Sequence, residues 1–95
     1  PHRSVTLDGE KLTLTTREYD LLRFLVGHPE VTFSRDELLE RVWGWSFGDR
    51  STVTVHVRRL REKVEKDPTH PVRLLTVWGV GYIWQARSAQ EAARG

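Results

Sequence analysis

Hydrophobic residues recur with the period of an α-helix in three separate parts of the chain. The third part carries four aliphatic residues at intervals of four, three and four positions: Val53, Val57, Leu60 and Val64. This spacing keeps them on one face and predicts a helix over about residues 50–66. On a wheel of about 100° per residue, the opposite face carries Ser51, Val55, Arg58, Arg59 and Glu62, flanked by Thr52 and His56.

Two shorter helical segments precede this one, and both begin with the same capping signal. Thr15 is followed three residues later by Glu18, and Ser34 is followed three residues later by Glu37. This is the arrangement of a capping box, in which each side chain satisfies the other residue's backbone N–H. We therefore predict one helix that stops at Gly27-His28-Pro29 and a second that ends at Gly44.

Both ends of the chain are predicted to form β-hairpins. The first surrounds the turn dipeptide Asp8-Gly9, and the second surrounds the turn Trp78–Gly81, giving a wing over about residues 73–85. The order hairpin, helix, helix, helix, hairpin is typical of an α+β winged helix-turn-helix, with a three-helix core, an N-terminal β-hairpin and a C-terminal β-hairpin wing. We expect this domain to cover residues 1–86 and residues 87–95 to form a frayed tail.

Basic residues are concentrated on the third helix. From Arg50 to Lys63 there are five Lys or Arg and one acid, whereas the rest of the chain holds ten basic and twelve acidic residues. A solvated surface helix usually alternates charges of opposite sign, which this run does not do. Guanidinium, imidazole and hydroxyl groups on one face are the groups that bind phosphates and read base edges. The pattern therefore favours binding to double-stranded DNA.

Other classes of function find little support in the residues. The chain has no cysteine, and its four histidines are scattered without metal-ligand spacing, so we expect no metal, no cofactor and no enzyme activity. No apolar run approaches the length of a membrane span, and a cytoplasmic location fits the lack of cysteine. A winged helix that docks on proteins remains the main alternative, because a fold alone does not determine function.

Four motifs in the right order resemble the C-terminal effector domains of OmpR/PhoB-type bacterial response regulators. They are Leu14–Leu22, Ser34–Leu39 with Val42–Gly44, Thr52–Arg61 and Thr76–Tyr82. The resemblance covers nearly the whole chain. It implies transcription regulation as the output domain of a two-component phosphorelay response regulator. It also implies that the third helix enters the major groove and that the wing lies at the minor groove.

The resemblance also implies roles for individual residues. The candidates on the recognition helix are Thr52, Val55, His56, Arg58, Arg59 and Arg61, with Arg50 and Ser51 at its start. Trp43 and Tyr82 are expected to anchor the DNA backbone through the indole N–H and the phenol, and Trp78 is expected at the wing. The matching loop faces RNA polymerase in the family, which assigns that role to Trp45, Phe47 and Asp49. Taken alone, the aromatic residues of this loop also fit a small satellite core beneath it.

Further partners follow from the resemblance only. They are an upstream receiver domain with a phosphorylatable Asp, its cognate sensor kinase, and direct-repeat DNA sites bound by a tandem dimer. The N-terminal sheet of the family usually has four strands, and about two are present here.

Three positions qualify the match. Trp78 replaces an Arg that is common in the wing, and its indole either packs on DNA sugars or folds back beside Trp84. Thr54 replaces a common acid near the start of the recognition helix. The helical wheel places Arg61 nearer the core edge than the groove, so we rank it below the arginines at 58 and 59.

Overall fold

The computed structural model describes residues 2–44 and 49–86. Along the chain these form β1 (His2–Leu7), β2 (Glu10–Thr15), α1 (Thr16–Gly27), β3 (Thr32–Ser34), α2 (Arg35–Trp43), α3 (Arg50–Val64), β4 (Leu74–Val77) and β5 (Gly81–Trp84). This order confirms the predicted α+β winged helix with a three-helix core. Trp45, Phe47 and the predicted tail over residues 87–95 lie outside the described residues.

The strands form two antiparallel sheets. β1 and β2 pair with Leu7 opposite Glu10, on either side of the predicted Asp8-Gly9 turn. The second sheet has the order β3-β5-β4, so the predicted wing hairpin gains a strand that the sequence did not suggest. β3 is three residues long and shows no informative alternation of its own. It becomes a strand because the chain brings it alongside β5, where Phe33 lies opposite Tyr82.

Gly81 permits the close approach of β3 and β5. A Cβ atom at this position would lie 1.9 Å from the carbonyl oxygen of Phe33, far inside any van der Waals contact. A larger residue would therefore displace β3 from the wing sheet. The lack of a side chain at Gly81 thus lets the wing pair with β3, the strand that leads directly into α2.

Both predicted capping boxes are present at atomic level. At α1 the Thr15 hydroxyl accepts from the Glu18 N–H at 3.2 Å, and a Glu18 carboxylate oxygen accepts from the Thr15 N–H at 3.0 Å. At α2 the corresponding distances are 3.1 Å and 2.9 Å for Ser34 and Glu37. α3 begins differently, because the Asp49 carboxylate accepts from the Ser51 N–H, which lowers the pKa of Asp49. All three helices therefore begin at a capped N-terminus.

The predicted apolar stripe of α3 is buried in the core. Val53, Val57, Leu60 and Val64 are each at most 4% exposed. They pack with leucines from β2, α1 and α2 and with the wing residues Leu74 and Trp84 in a single cluster. Truncating a fully buried leucine of this kind to alanine typically costs about 2–5 kcal/mol. Burial of the stripe determines which face of α3 is turned outward.

One ion pair joins α3 to the start of α1. Lys63 donates to a carboxylate oxygen of Glu18 at 2.5 Å, and the Glu18 side chain is 3% exposed. Burial by itself raises the pKa of Glu18, but the hydrogen bonds from Lys63 and Thr15 outweigh it and leave the pKa below its ordinary value. The carboxylate therefore stays charged while it closes the capping box and binds α3.

Candidate nucleic-acid interface

The outward face of α3 presents the predicted basic and small side chains. Ser51, Val55, Arg58 and Arg59 are exposed, and Thr52 is half-buried at the edge of this face. Within residues 2–44 and 49–86, neither Arg58 nor Arg59 has a hydrogen-bond or ion-pair partner. Val55 is 40% exposed and adds an apolar side chain to this face. Two guanidinium groups and an apolar contact therefore share one accessible helix face.

His56 lies at the edge of this face and is already oriented. Its Nδ1 is 2.7 Å from the Thr52 carbonyl oxygen, so Nδ1 carries the proton and donates. The neutral ring then has an acceptor at Nε2, and it gains a second donor only when it is protonated. The ring also lies 5.3 Å from the Trp43 ring between centroids. A hydrogen bond donated to DNA by His56, one of the predicted recognition-helix residues, therefore requires the imidazolium form.

Trp43 does not present its indole N–H to the surface. The indole nitrogen has no access to solvent, and the ring packs partly buried against the core beside His56. This corrects the prediction that Trp43 anchors a phosphate through its N–H. Trp43 belongs to the apolar pattern of α2, which turns its ring toward α3. There the ring packs against the imidazole of His56.

Arg50, at the start of α3, is engaged with α2. Its guanidinium donates to both carboxylate oxygens of Asp36, each at 2.9 Å. Both side chains are 62% exposed, so the pair contributes little to stability and is open to competition from a phosphate. The predicted DNA contact by Arg50 would require this pair to be exchanged or shared.

The structure corrects the prediction that Arg61 faces the groove. Its Nε donates to the Leu74 carbonyl oxygen at 2.9 Å, and its Nη2 donates to the Thr76 hydroxyl at 2.8 Å. The guanidinium lies 5.7 Å from the centre of the Tyr82 ring. Burial lowers the pKa of Arg61, and the nearby Tyr82 and Glu65 partly offset this effect. Arg61 therefore binds the wing to α3, in agreement with its position near the core edge of the helical wheel.

Glu65 completes the attachment of the wing and is a residue that the sequence did not single out. Its carboxylate accepts from three successive backbone N–H groups, those of Val72, Arg73 and Leu74, at 2.8 to 3.3 Å. Leu74 thus has its N–H bound by Glu65 and its carbonyl bound by Arg61. These two side chains bind the backbone groups of Leu74 at the start of the free edge of β4, where they would otherwise be unpaired.

The wing tip is apolar and exposed. The Val80 N–H donates to the Val77 carbonyl at 3.0 Å, and Gly79 has φ 78°, the value that a type II turn requires at its third position. This turn points Trp78 away from the hairpin, and the residue is 89% exposed. The alternative in which Trp78 folds back beside Trp84 is therefore wrong. Val80, at 55% exposed, extends the apolar tip.

A cleft of about 390 Å³ separates the first half of α3 from the wing. Thr54 lines one side of it, and the wing lines the other through Thr76–Tyr82. Arg35, the first residue of α2, lies at the same cleft and is the only charged residue among the described residues that line it. Tyr82 is 7% exposed, so the predicted contact of its phenol with the DNA backbone is restricted to this cleft.

In residues 2–44 and 49–86, no three His, Asp or Glu side chains come together in a way that suits a metal ion. None of the described helices is both long and apolar enough to span a bilayer.

A family of known domains matches the chain over residues 9–84, and it is described as the C-terminal domain of transcriptional regulatory proteins. The chain belongs to this family. It is 53% identical over 83 residues to the DNA-binding response regulator MtrA of Mycobacterium tuberculosis, covering 86% of this chain and 36% of MtrA. The chain therefore spans about a third of the length of this curated relative.

Solved structures agree with the family assignment. The chain is similar to the DNA-binding domain of Klebsiella pneumoniae RstA, determined in complex with the RstA box, with a TM-score of 0.77 and 37% identity. That match covers 88% of this chain and 84% of the RstA domain. The response regulator DrrB of Thermotoga maritima, an OmpR/PhoB homolog, matches with a TM-score of 0.77 and 32% identity over 86% of this chain and 37% of DrrB. The resemblance to the OmpR/PhoB type is therefore confirmed.

Proposed function

We propose that this chain is the output domain of a two-component response regulator and binds double-stranded DNA sequence-specifically to regulate transcription. The observation that carries the proposal is the outward face of α3, where Arg58 and Arg59 are exposed beside Val55 and have no hydrogen-bond or ion-pair partner among the residues that the structure describes. A recognition helix needs such donors for base edges and an apolar group for a thymine methyl. The similarity to RstA, solved with its DNA box, supports the same function.

The proposed orientation inserts α3 into the major groove and sets the wing at the neighbouring minor groove. Arg58 and Arg59 read bases, whereas Ser51 and Thr52 contact backbone or base edges at the start of the helix. Trp78 is uncharged and packs on sugars instead of being drawn in by the negative potential of a narrow minor groove. Tyr82 contacts the backbone from the cleft. Arg61 and Trp43 hold these elements in place and do not contact bases.

The wider context of the domain is proposed from the family. Residues 1–86 are the DNA-binding domain, and a receiver domain controlled by a sensor kinase regulates it in the full protein, in the cytoplasm. Two copies bind direct repeats in tandem. The loop that ends at Asp49 faces RNA polymerase. The domain has no cofactor and acts by binding, not by catalysis.

Selection of bound sequences from random duplexes tests the proposal. We expect a single enriched motif, bound by the purified chain with an affinity that falls steeply as salt rises. Binding without any enriched motif would show that the chain binds DNA only nonspecifically. No binding even at low salt would favour the alternative in which this winged helix docks on proteins.

A further inference from the structure

We propose that a groove between α1 and α2 is a docking site for an acidic segment of a protein partner. This α1–α2 groove has a volume of about 470 Å³. Residues between Asp20 and His28 line one side of it, and Arg41 and Val42, near the end of α2, line the other. Among the residues that the structure describes, none from α3 or from the wing lines it. The inference therefore goes beyond the proposed DNA binding and concerns a separate surface.

The floor of the α1–α2 groove is apolar and is ordered by ring contacts. Phe24 and Val42 are half-buried and pack against the core. The His28 ring stacks on Phe24 with 4.4 Å between the ring centroids, and its Nδ1 donates to the Phe24 carbonyl oxygen at 2.8 Å. Nε2 is then the ring nitrogen that a partner could bind. Phe24 also meets the Phe33 ring edge-on at 4.9 Å, so the floor is already held in place before a partner binds.

Two guanidinium groups border this floor without acidic partners. Arg23 and Arg41 are exposed, and neither forms a hydrogen bond or an ion pair with any described residue. The guanidinium carbon of Arg41 lies 5.8 Å from the centre of the Phe33 ring. Asp20 is the one acid among the described residues that line the groove, so the two arginines leave a net positive charge there. Outside the basic run of α3 the chain holds twelve acids and ten bases, so this local excess of positive charge runs against its surroundings.

These features together select an acidic protein segment as the occupant. Arginines at a rim pair well with carboxylates, and an apolar floor is covered best by an apolar side chain. A DNA duplex offers phosphates to the arginines, but its backbone carries no apolar side chain that would fill the floor. Arginine and aromatic residues are also the types that protein–protein interfaces favour. We therefore expect a segment in which Asp or Glu residues flank one large apolar residue.

Selection from a displayed library of short random peptides tests the proposal. We expect the enriched peptides to carry acids on both sides of a large apolar residue. Their affinities are then measured by fluorescence polarisation for the wild-type chain, for Arg23→Glu combined with Arg41→Glu, and for the control Arg58→Glu combined with Arg59→Glu. The groove variant should bind at least about tenfold more weakly, because repulsion replaces each ion pair. The control, which changes only the outward face of α3, should bind these peptides as the wild type does.

A change in the peptide tests the apolar floor without altering the protein. Replacing the central apolar residue of an enriched peptide by serine should weaken binding about tenfold, because the area that it buries on Phe24 and Val42 is lost. An unchanged affinity would overturn the role of the floor. Urea unfolding checks that both double variants remain folded, and glutamine replaces glutamate at the same positions if either one does not.

The remaining outcomes also decide the proposal. Acidic peptides that the groove variant binds as tightly as the wild type, or that only the α3 control loses, would be imitating DNA on α3 and would overturn it. Enriched peptides without acids, or no enriched peptide at all, would overturn it as well. A chain that selected no DNA duplex would refute the proposed function but not this inference, because the peptide measurement contains no DNA.

Discussion

Arg61 on α3 donates a hydrogen bond to the backbone carbonyl of Leu74 on β4 at 2.9 Å. Glu65, the residue directly after α3, accepts from the N–H of the same leucine at 2.8 Å. The C-terminal end of α3 therefore holds the wing by both backbone groups of one residue. This contact decides how far the wing stands from the helix and so, in the proposed DNA complex, which base pairs each element would meet.

Replacement of Arg61 by methionine tests this role. The variant keeps a long apolar stem but leaves the Leu74 carbonyl without its charged donor, so we expect a loss of about 1–3 kcal/mol in the free energy of unfolding. Arg58→Met removes an exposed guanidinium and should change stability by less than about 0.5 kcal/mol. Urea unfolding of both variants gives the comparison. Equal stabilities would show that Arg61 does not hold the wing.

The same pair of variants should differ in the sequences they select. Arg61→Met should blur the preference at positions under the wing and keep the preference at positions under α3. Arg58→Met should instead relax specificity at the base pair that Arg58 reads. Selection from random duplexes measures both effects. If Arg61→Met lost base preference only at the positions under α3, Arg61 would be a base-reading residue after all.

Arg59 provides the most direct test of the orientation of α3. If its guanidinium reads a guanine edge with two hydrogen bonds, Arg59→Ala should weaken binding to the selected duplex by about 1–3 kcal/mol. Arg23→Ala, on α1, should weaken it far less. Affinities at one fixed salt concentration are sufficient. Similar losses for both variants would mean that the outward face of α3 does not lie in the groove.

Trp78 allows a test of the wing. Because the indole is 89% exposed at the tip, a charge placed there would reach the phosphates of the minor groove. Trp78→Arg should steepen the log–log salt slope by about 0.9 and raise affinity at low salt. Trp78→Phe adds no charge and serves as the control. A slope that stays the same in Trp78→Arg would show that the wing does not approach DNA.

The Glu18–Lys63 pair predicts how stability depends on pH. The folded-state pKa of Glu18 lies below its ordinary value of 4.5, so the carboxylate stabilises the fold fully above about pH 4.5. That contribution is lost as the pH falls from this value through the folded-state pKa. Glu18→Gln should be less stable at pH 7 and lose less stability between pH 7 and pH 3. Urea midpoints across this range measure it, and parallel curves would contradict the assignment.

Local signals in the sequence were sufficient for the helices and for the outward face of α3. Thr15 with Glu18 and Ser34 with Glu37 encode the helix starts within four residues, so no tertiary contact is needed to recognise them. The stripe of α3 also carries its own period, and the core then buried every residue of it. Periodicity identifies the face of a helix that is buried, and the opposite face follows by exclusion.

The partners of individual side chains depended on contacts between distant parts of the chain. Lys63 and Glu18 are 45 residues apart, and β3 exists as a strand only because it pairs with β5. Arg61 has the same guanidinium as Arg58 and Arg59, yet it turns to the wing because Leu74 and Thr76 lie within its reach. Arg35 lies at the cleft because the residue before it, Ser34, pairs with Gly81 of the wing. A sequence pattern determines which way a residue faces, whereas only the folded chain determines what that residue meets there.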